Sequence, residues 1–203
     1  MKLFHSPLSP YVRKVVVLLH ELEKTDAVAL ETIATTAFAS DDGLMAANPL
    51  AKIPALQRDD GVTLYDSRVI CGYLNDLFDG SMYPTGAGQW ENRTLEATGD
   101  GIMDCAVSMA YERKLRPENE QSDGWVEAQW TKVDRALSVL NSRWMGHLAG
   151  PVSMAHVSVA CALSYVDFRH GARNWRGGNA ALADWHAAFD SRPSMQATRP
   201  PEA

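Results

Sequence analysis

Residues 2–22 run Lys2-Leu3-Phe4-His5-Ser6-Pro7-Leu8-Ser9-Pro10-Tyr11-Val12-Arg13-Lys14-Val15-Val16-Val17-Leu18-Leu19-His20-Glu21-Leu22. The short apolar run from Lys2 to His5 stops at Ser6-Pro7 and predicts a first strand. Serine favours the helix N-cap and proline the first helical position, so Ser9-Pro10 predicts a helix start. Val12, Val15, Val16, Leu19 and Leu22 then recur at helical spacing. A strand, a tight turn and a capped amphipathic helix in twenty-odd residues are the opening of an α/β unit.

The rest of that unit follows. Val28 to Ile33 alternates weakly and predicts a second strand. Asp41 to Ala47 reads as a short helix and Ile53 to Leu56 as a third strand. Asp59-Asp60-Gly61 is a hairpin-type turn before a short strand at Val62–Leu64. Asp66 or Ser67 then caps a helix running to about Phe78. The order is βαβ, a short helical segment, then ββα, which predicts a small mixed sheet with helices on its faces.

Asp79 to Gly88, DGSMYPTGAG, has the glycines, proline and small residues of a linker. Beyond it strand patterns cease. Trp90–Leu115, Ser122–Trp144, Val152–Phe168 and Asn179–Phe189 all read as helices. Val152–Phe168 has no charged residue before Asp167, and a helix that is apolar all round is buried. The expected organisation is a first domain over 1–78, a linker over 79–88 and an all-helical domain over 89–203.

Composition narrows the function. The 203 residues are 46% hydrophobic and 22% charged, as in a folded globular chain. With 19 Lys and Arg against 25 Asp and Glu, the net charge is -6, and no basic cluster points to nucleic acid or a membrane surface. The N-terminus is too polar, and too soon broken by proline, for a signal peptide. Cys71, Cys105 and Cys161 form no CxxC pair, which predicts a reducing compartment and no dithiol centre. The six histidines show no ligand-like spacing, so no metal is expected.

Three motifs could carry chemistry. Ser9 places a hydroxyl between a strand end and a helix N-terminus, where unsatisfied N–H groups favour an anion. A hydroxyl there can donate to a thiolate and lower a bound thiol's pKa. Asn48-Pro49-Leu50-Ala51-Lys52-Ile53-Pro54 is a stiff loop entering a strand. Trans is the default for its Ile53–Pro54 bond; a cis bond would turn the Ile53 backbone outward towards a peptide-like ligand. Asp66-Ser67 offers a carboxylate, a hydroxyl and helix N–H groups, which suits an α-amino acid zwitterion. Read singly, Ser9 and Asp66-Ser67 are also plain helix caps, and the loop is also a plain turn.

Taken together, SxxSPYVRKV, NPLAKIPAL and LYDSRVI, in this order before a linker and an all-helical half, resemble a bacterial cytosolic glutathione transferase. The resemblance covers essentially the whole chain. It implies a thioredoxin-like N-terminal domain, an all-α C-terminal domain, a cytoplasmic homodimer and glutathione as co-substrate. It places the thiol near Ser9 as catalytic hydroxyl, with Tyr11 as a rival. Ile53 before a cis Pro54 would pair with the cysteinyl backbone, Asp66 and Ser67 would hold the γ-glutamyl end, and Lys52 would reach a carboxylate. The apolar electrophile would meet Tyr11 and the helix around Cys105. Peroxidase or isomerase chemistry on the same thiolate, or a non-catalytic binding protein, are the alternatives.

Two positions depart from that pattern. Asp66 stands where many members carry glutamate. The buried helix opens Ser153-Met154-Ala155-His156, where the family pattern has Ser/Thr-x-x-Asp. A neutral histidine complements the helix dipole less well than aspartate, which predicts a weakened cap.

Overall fold

A computed structural model describes residues 1–201. The first unit holds Met1–Thr85 together with the described residues from Pro193 on, and the second holds Gly86–Arg192. The sequence reading had put that C-terminal tail with the helices.

In the first unit, β1 (Lys2–His5), α1 (Pro10–Glu21), β2 (Ala29–Thr32), α2 (Asp42–Ala47), β3 (Ala55–Gln57), β4 (Thr63–Leu64) and α3 (Ser67–Leu77) follow in order. The sheet runs β2-β1-β3-β4. β1 and β2 are parallel, because α1 carries the chain back between them. β3 is antiparallel to both neighbours, with Phe4 opposite Ala55 and Leu56 opposite Leu64. This is the thioredoxin-like arrangement that the sequence implied.

Phe4, Leu44 and Ala55 form a buried cluster, with Ile33, Ala47 and Ile53 packed against it. α1 and α3 pack on each other, and their buried side chains include Val15, Leu18, Ile70 and Leu74. The predicted third strand starts two residues late. Ile53–Pro54 is a cis bond, not the trans default, and the ladder begins only at Ala55.

A last short helix, α9 (Pro193–Ala197), lies against α1. The sequence reading contained no such element. Nothing in Pro193–Ala197 is periodic, and its partners on α1 lie far back in the chain.

The second unit is all-α: α4 (Gln89–Leu115), α5 (Asp123–Val139), α6 (Met145–Leu148), α7 (Met154–His170) and α8 (Ala180–Asp190). The helix read over 122–144 ends at Val139, and a π-helical turn, Leu140–Trp144, joins it to α6. α7 is buried along most of its length, as its composition requires. It packs most closely on α4, where a Cβ on Gly99 would lie 2.5 Å from Ser158 Oγ and 2.7 Å from its carbonyl carbon. Only glycine permits that approach.

No helix among the described residues is long and apolar enough to cross a membrane.

Candidate functional site

The strand directions gather the candidate residues of the first unit. β1, β2 and β4 all run the same way and β3 runs against them. The C-terminal ends of β1 and β4 and the N-terminal end of β3 therefore lie at one end of the sheet. Ser9 follows β1, Ile53-Pro54 precedes β3, and Asp66-Ser67 follows β4. Two helices, α1 and α3, begin at that same end, so their unsatisfied N–H groups make it favourable to anions.

Ser9 is the N-cap of α1. Its Oγ accepts from the Val12 N–H at 3.3 Å, and its own N–H donates to Ser6 O at 3.1 Å. The cap reading of this serine therefore holds, and it leaves the site reading intact. A hydroxyl that accepts one bond still has a proton to donate. The cap fixes where the oxygen sits, and Ser9 is only half-buried, so a ligand atom can reach it.

The loop before β3 is held by a buried asparagine to which the sequence reading gave no role. Asn48 Nδ2 donates to Lys52 O at 2.8 Å, and the Leu50 N–H donates to Asn48 Oδ1 at 3.0 Å. Its carbonyl also accepts from the Ala51 N–H at 2.8 Å. An asparagine between a helix end and a proline is the one local signal for this role, since its side chain readily bonds nearby backbone. The Ile53 side chain packs inward on the Phe4 cluster, which leaves the backbone of Ile53 as the part offered at the sheet end. Lys52, one residue earlier, is exposed.

Asp66 caps α3, its Oδ1 accepting from the Arg68 N–H at 3.0 Å. Its Oδ2 is 3.6 Å from the Arg68 guanidinium, and 59% of the side chain remains exposed. The carboxylate thus has lone pairs left for an ammonium group. Ser67, the first residue of α3, is buried beside it. His5, at the end of β1, lies 3.3 Å from Thr32 Oγ1, and burial lowers its pKa. A neutral imidazole there adds no charge to the site.

Tyr11 is half-buried on the first turn of α1. Cys105 belongs to α4 in the second unit. Burial raises its thiol pKa, a Lys132 charge opposes that and an Asp104 charge adds to it. A thiol held protonated is a poor nucleophile. Cys71 and Cys161 are fully buried.

A serine, a histidine and an aspartate also come together on α7 and α8. Ser164 Oγ lies 3.1 Å from His186 Nε2, and His186 Nδ1 is 4.0 Å from Asp167 Oδ2. Arg176 Nη2, however, is 3.4 Å from the same Nδ1. A guanidinium only donates, so Nδ1 accepts and Nε2 carries the proton. In that tautomer the imidazole cannot take a proton from Ser164. Asp167 instead accepts from Trp175 Nε1 at 2.7 Å and from both Arg176 Nη atoms, which ties α7 to the segment after it. No group of three or more metal-ligating side chains occurs among the described residues.

The glutathione S-transferase N-terminal domain family matches residues 8–77, and the corresponding C-terminal domain family matches residues 123–188. An Escherichia coli K12 protein described as an uncharacterized GST-like protein, YibF, is 33% identical over 208 residues, with 100% of both chains covered. A glutathione transferase family member from Pseudomonas fluorescens Pf-5, solved with bound glutathione, is 46% identical. It is matched over 98% of each chain with a TM-score of 0.96. A second structure of a Pf-5 family member holds S-(propanoic acid)-glutathione. It is 45% identical over 99% of this chain and 100% of that one, with a TM-score of 0.92.

Proposed function

Because this chain belongs to the glutathione S-transferase family, we propose that it binds glutathione at the sheet end and conjugates it to a small, mostly apolar electrophile. The observation that carries the reading is the convergence of Ser9, Ile53–Pro54 and Asp66-Ser67 at the sheet end where α1 and α3 begin. The Ile53 backbone pairs with the cysteinyl unit, Asp66 takes the γ-glutamyl ammonium, the Ser67 end of α3 takes its carboxylate, and Lys52 reaches the other carboxylate.

The thiol proton leaves to solvent, and the Ser9 O–H donates to the thiolate. The sulfur attacks an electrophilic carbon and forms a C–S bond. A leaving group departs with its electron pair, or, in an addition, the new carbanion takes a proton from water. Ser9 stabilises charge and forms no covalent bond. An S-substituted glutathione bound to a relative 45% identical favours conjugation over peroxide reduction or isomerisation. The same reading includes Tyr11 and Cys105 on the electrophile's side, detoxification as the role, a homodimer, and a cytoplasmic location.

Calorimetric titration with glutathione tests the reading. Saturable binding that weakens about tenfold or more in Asp66→Ala supports it, since a charge-assisted bond is removed. Absence of binding by the wild type refutes it and leaves the partner-protein alternative.

A further inference from the structure

We propose that Arg13 is a positioning residue for the Ser9 hydroxyl, acting by clamping the C-terminal helix α9 along α1. The inference rests on the role of Ser9 proposed above.

Arg13 lies one turn after Ser9, and its N–H donates to Ser9 O at 3.0 Å. Its side chain is only 7% exposed and makes a fork. Nη2 donates to Met195 O at 3.0 Å and Nε donates to Thr198 Oγ1 at 3.2 Å. The Thr198 hydroxyl in turn donates to Ser194 O at 2.9 Å. Met195 O lies in the last turn of α9, where carbonyls lack intrahelical partners, and it accepts from the guanidinium and, at 3.3 Å, from the Thr198 hydroxyl.

The other end of α9 is tied as well. Ser194 Oγ donates to Glu21 Oε1, on the last turn of α1. Arg13 and Glu21 are eight residues apart on α1, about 12 Å along its axis, and Val17 falls between them on the same stripe. Val17 and Met195 are both fully buried. The strap therefore grips α1 at two points, one on either side of Val17. α3 packs on α1 as well. With both contacts in place, the first turn of α1, which carries Ser9, has its register and tilt fixed.

One consequence concerns the chain as a whole. The unit that carries Ser9 is completed by α9, which follows the second unit in the chain. The tail has no residue in the proposed site, yet its loss displaces the hydroxyl that the thiolate needs.

The test compares Arg13→Gln, Arg13→Lys and Thr198→Val with the wild type. The readout is the pH titration of bound glutathione, followed by the ultraviolet absorbance of its thiolate. Loosening the first turn of α1 weakens the Ser9 hydrogen bond, so the apparent thiol pKa in the complex rises by roughly 0.5–1 in Arg13→Gln. Arg13→Lys keeps the charge and loses the fork, and Thr198→Val keeps Arg13 whole but removes the acceptor of its Nε bond and the hydroxyl's own bonds within the tail. Both shift in the same direction by a smaller amount, while glutathione affinity stays within about twofold of wild type.

A shift in Arg13→Gln alone means that the charge acts directly, and overturns the proposal. Lower thermal stability with an unchanged titration means that the strap is merely structural, and overturns it too. Should Arg13→Gln fail to fold, Arg13→Lys and Thr198→Val decide on the same criteria. A wild type that binds glutathione without forming thiolate removes the proposed role of Ser9 and this inference with it. A wild-type thiolate that none of the variants perturbs removes this inference alone.

Discussion

Among the described residues three helices have serine at the N-cap position, and the three hydroxyls are not used alike. Ser9 at the start of α1 accepts from the Val12 N–H at 3.3 Å. Ser122 at the start of α5 accepts from the Trp125 N–H at 3.1 Å. Ser153 at the start of α7 makes no such bond, and its Oγ lies instead 2.9 Å from His156 Nδ1. The partner in each case is the third helical residue. Where that residue is valine or tryptophan, its backbone N–H has the serine oxygen to itself. Where it is histidine, the imidazole competes and wins. Burial sets the rest: Ser153 is buried, Ser122 exposed and Ser9 between the two. Ser9 and Ser122 both keep a fixed oxygen, a proton to donate and access from solvent, but only Ser9 stands beside the other candidate residues at the sheet end. Position in a helix makes a serine a cap; its neighbours decide whether it can also serve a site.

The sharpest way to break this comparison is to remove each hydroxyl in turn and read both turnover and stability. Ser9→Ala has the largest expected effect. Turnover with glutathione and 1-chloro-2,4-dinitrobenzene falls about 10- to 100-fold, because the donor to the thiolate is gone. Stability falls by only about 1 kcal/mol for the lost cap. Unchanged turnover in that variant passes the catalytic role to another group, with Tyr11 first in line.

Ser153→Ala reverses the pattern. Ser153 and His156 are 5% and 2% exposed, and His156 Nε2 already lacks a hydrogen bond of good geometry. Removing the hydroxyl orphans Nδ1 as well, at a cost of about 1–3 kcal/mol in denaturant unfolding. Turnover per folded molecule stays at the wild-type level. A stability loss no larger than that of Ser9→Ala sinks the idea that the Ser153–His156 pair replaces the cap.

How much of this was readable in the sequence depended on distance along the chain. Ser9-Pro10, Asp41 and Asp66 announce helix starts within four residues, and all three cap as such residues do. The same local logic predicted a weakened cap at Ser153, and the structure shows how: the hydroxyl turns to the histidine ring. The sequence could not show that this ring also packs against His147, Trp185 and Phe189, which lie on other helices. Nor could it show α9. That helix is five residues long, and its anchor Arg13 is 182 residues from Met195. The order of strands brought Ser9, Ile53 and Asp66 to one sheet end, but this becomes visible only when β3 is known to run against its neighbours.

The α7 start also differs from the other two in its response to pH. The His156 pKa is lowered to about 4, first by burial and then by the charges of His147 and Arg192, while the carbonyls of Leu148 and His147 partly oppose this. In the unfolded chain the same imidazole titrates near 6.5. Between those values the folded state binds fewer protons than the unfolded one. Stability is therefore complete above about pH 7, declines as pH falls through 6.5, and levels off below about 4. The slope this group contributes is at most about 1.4 kcal/mol per pH unit. Burial also lowers the pKa values of His5 and His170, so they add to the same limb. Urea unfolding across this range should show His156→Asn with a shallower acid limb than the wild type. An identical limb in the two proteins places the acid sensitivity elsewhere.

The smallest effect belongs to Ser122, and it serves as the internal standard for the other two. Its oxygen caps α5 in solvent, and its own N–H is held at 2.8 Å by Glu112 Oε1, an interaction that a side-chain truncation leaves in place. An exposed cap is partly replaced by water when it is removed, so Ser122→Ala should cost about 0.5–1 kcal/mol and leave turnover and the pH limb untouched. That value is what a serine contributes here by capping alone. Subtracting it from the Ser9→Ala stability loss leaves what the site contributes to folding. Subtracting it from the Ser153→Ala loss leaves the penalty for an orphaned imidazole. If Ser122→Ala costs as much as Ser153→Ala, all three serines are ordinary caps in energetic terms. What sets Ser9 apart is then its place at the sheet end, with no contribution from how the hydroxyl is held.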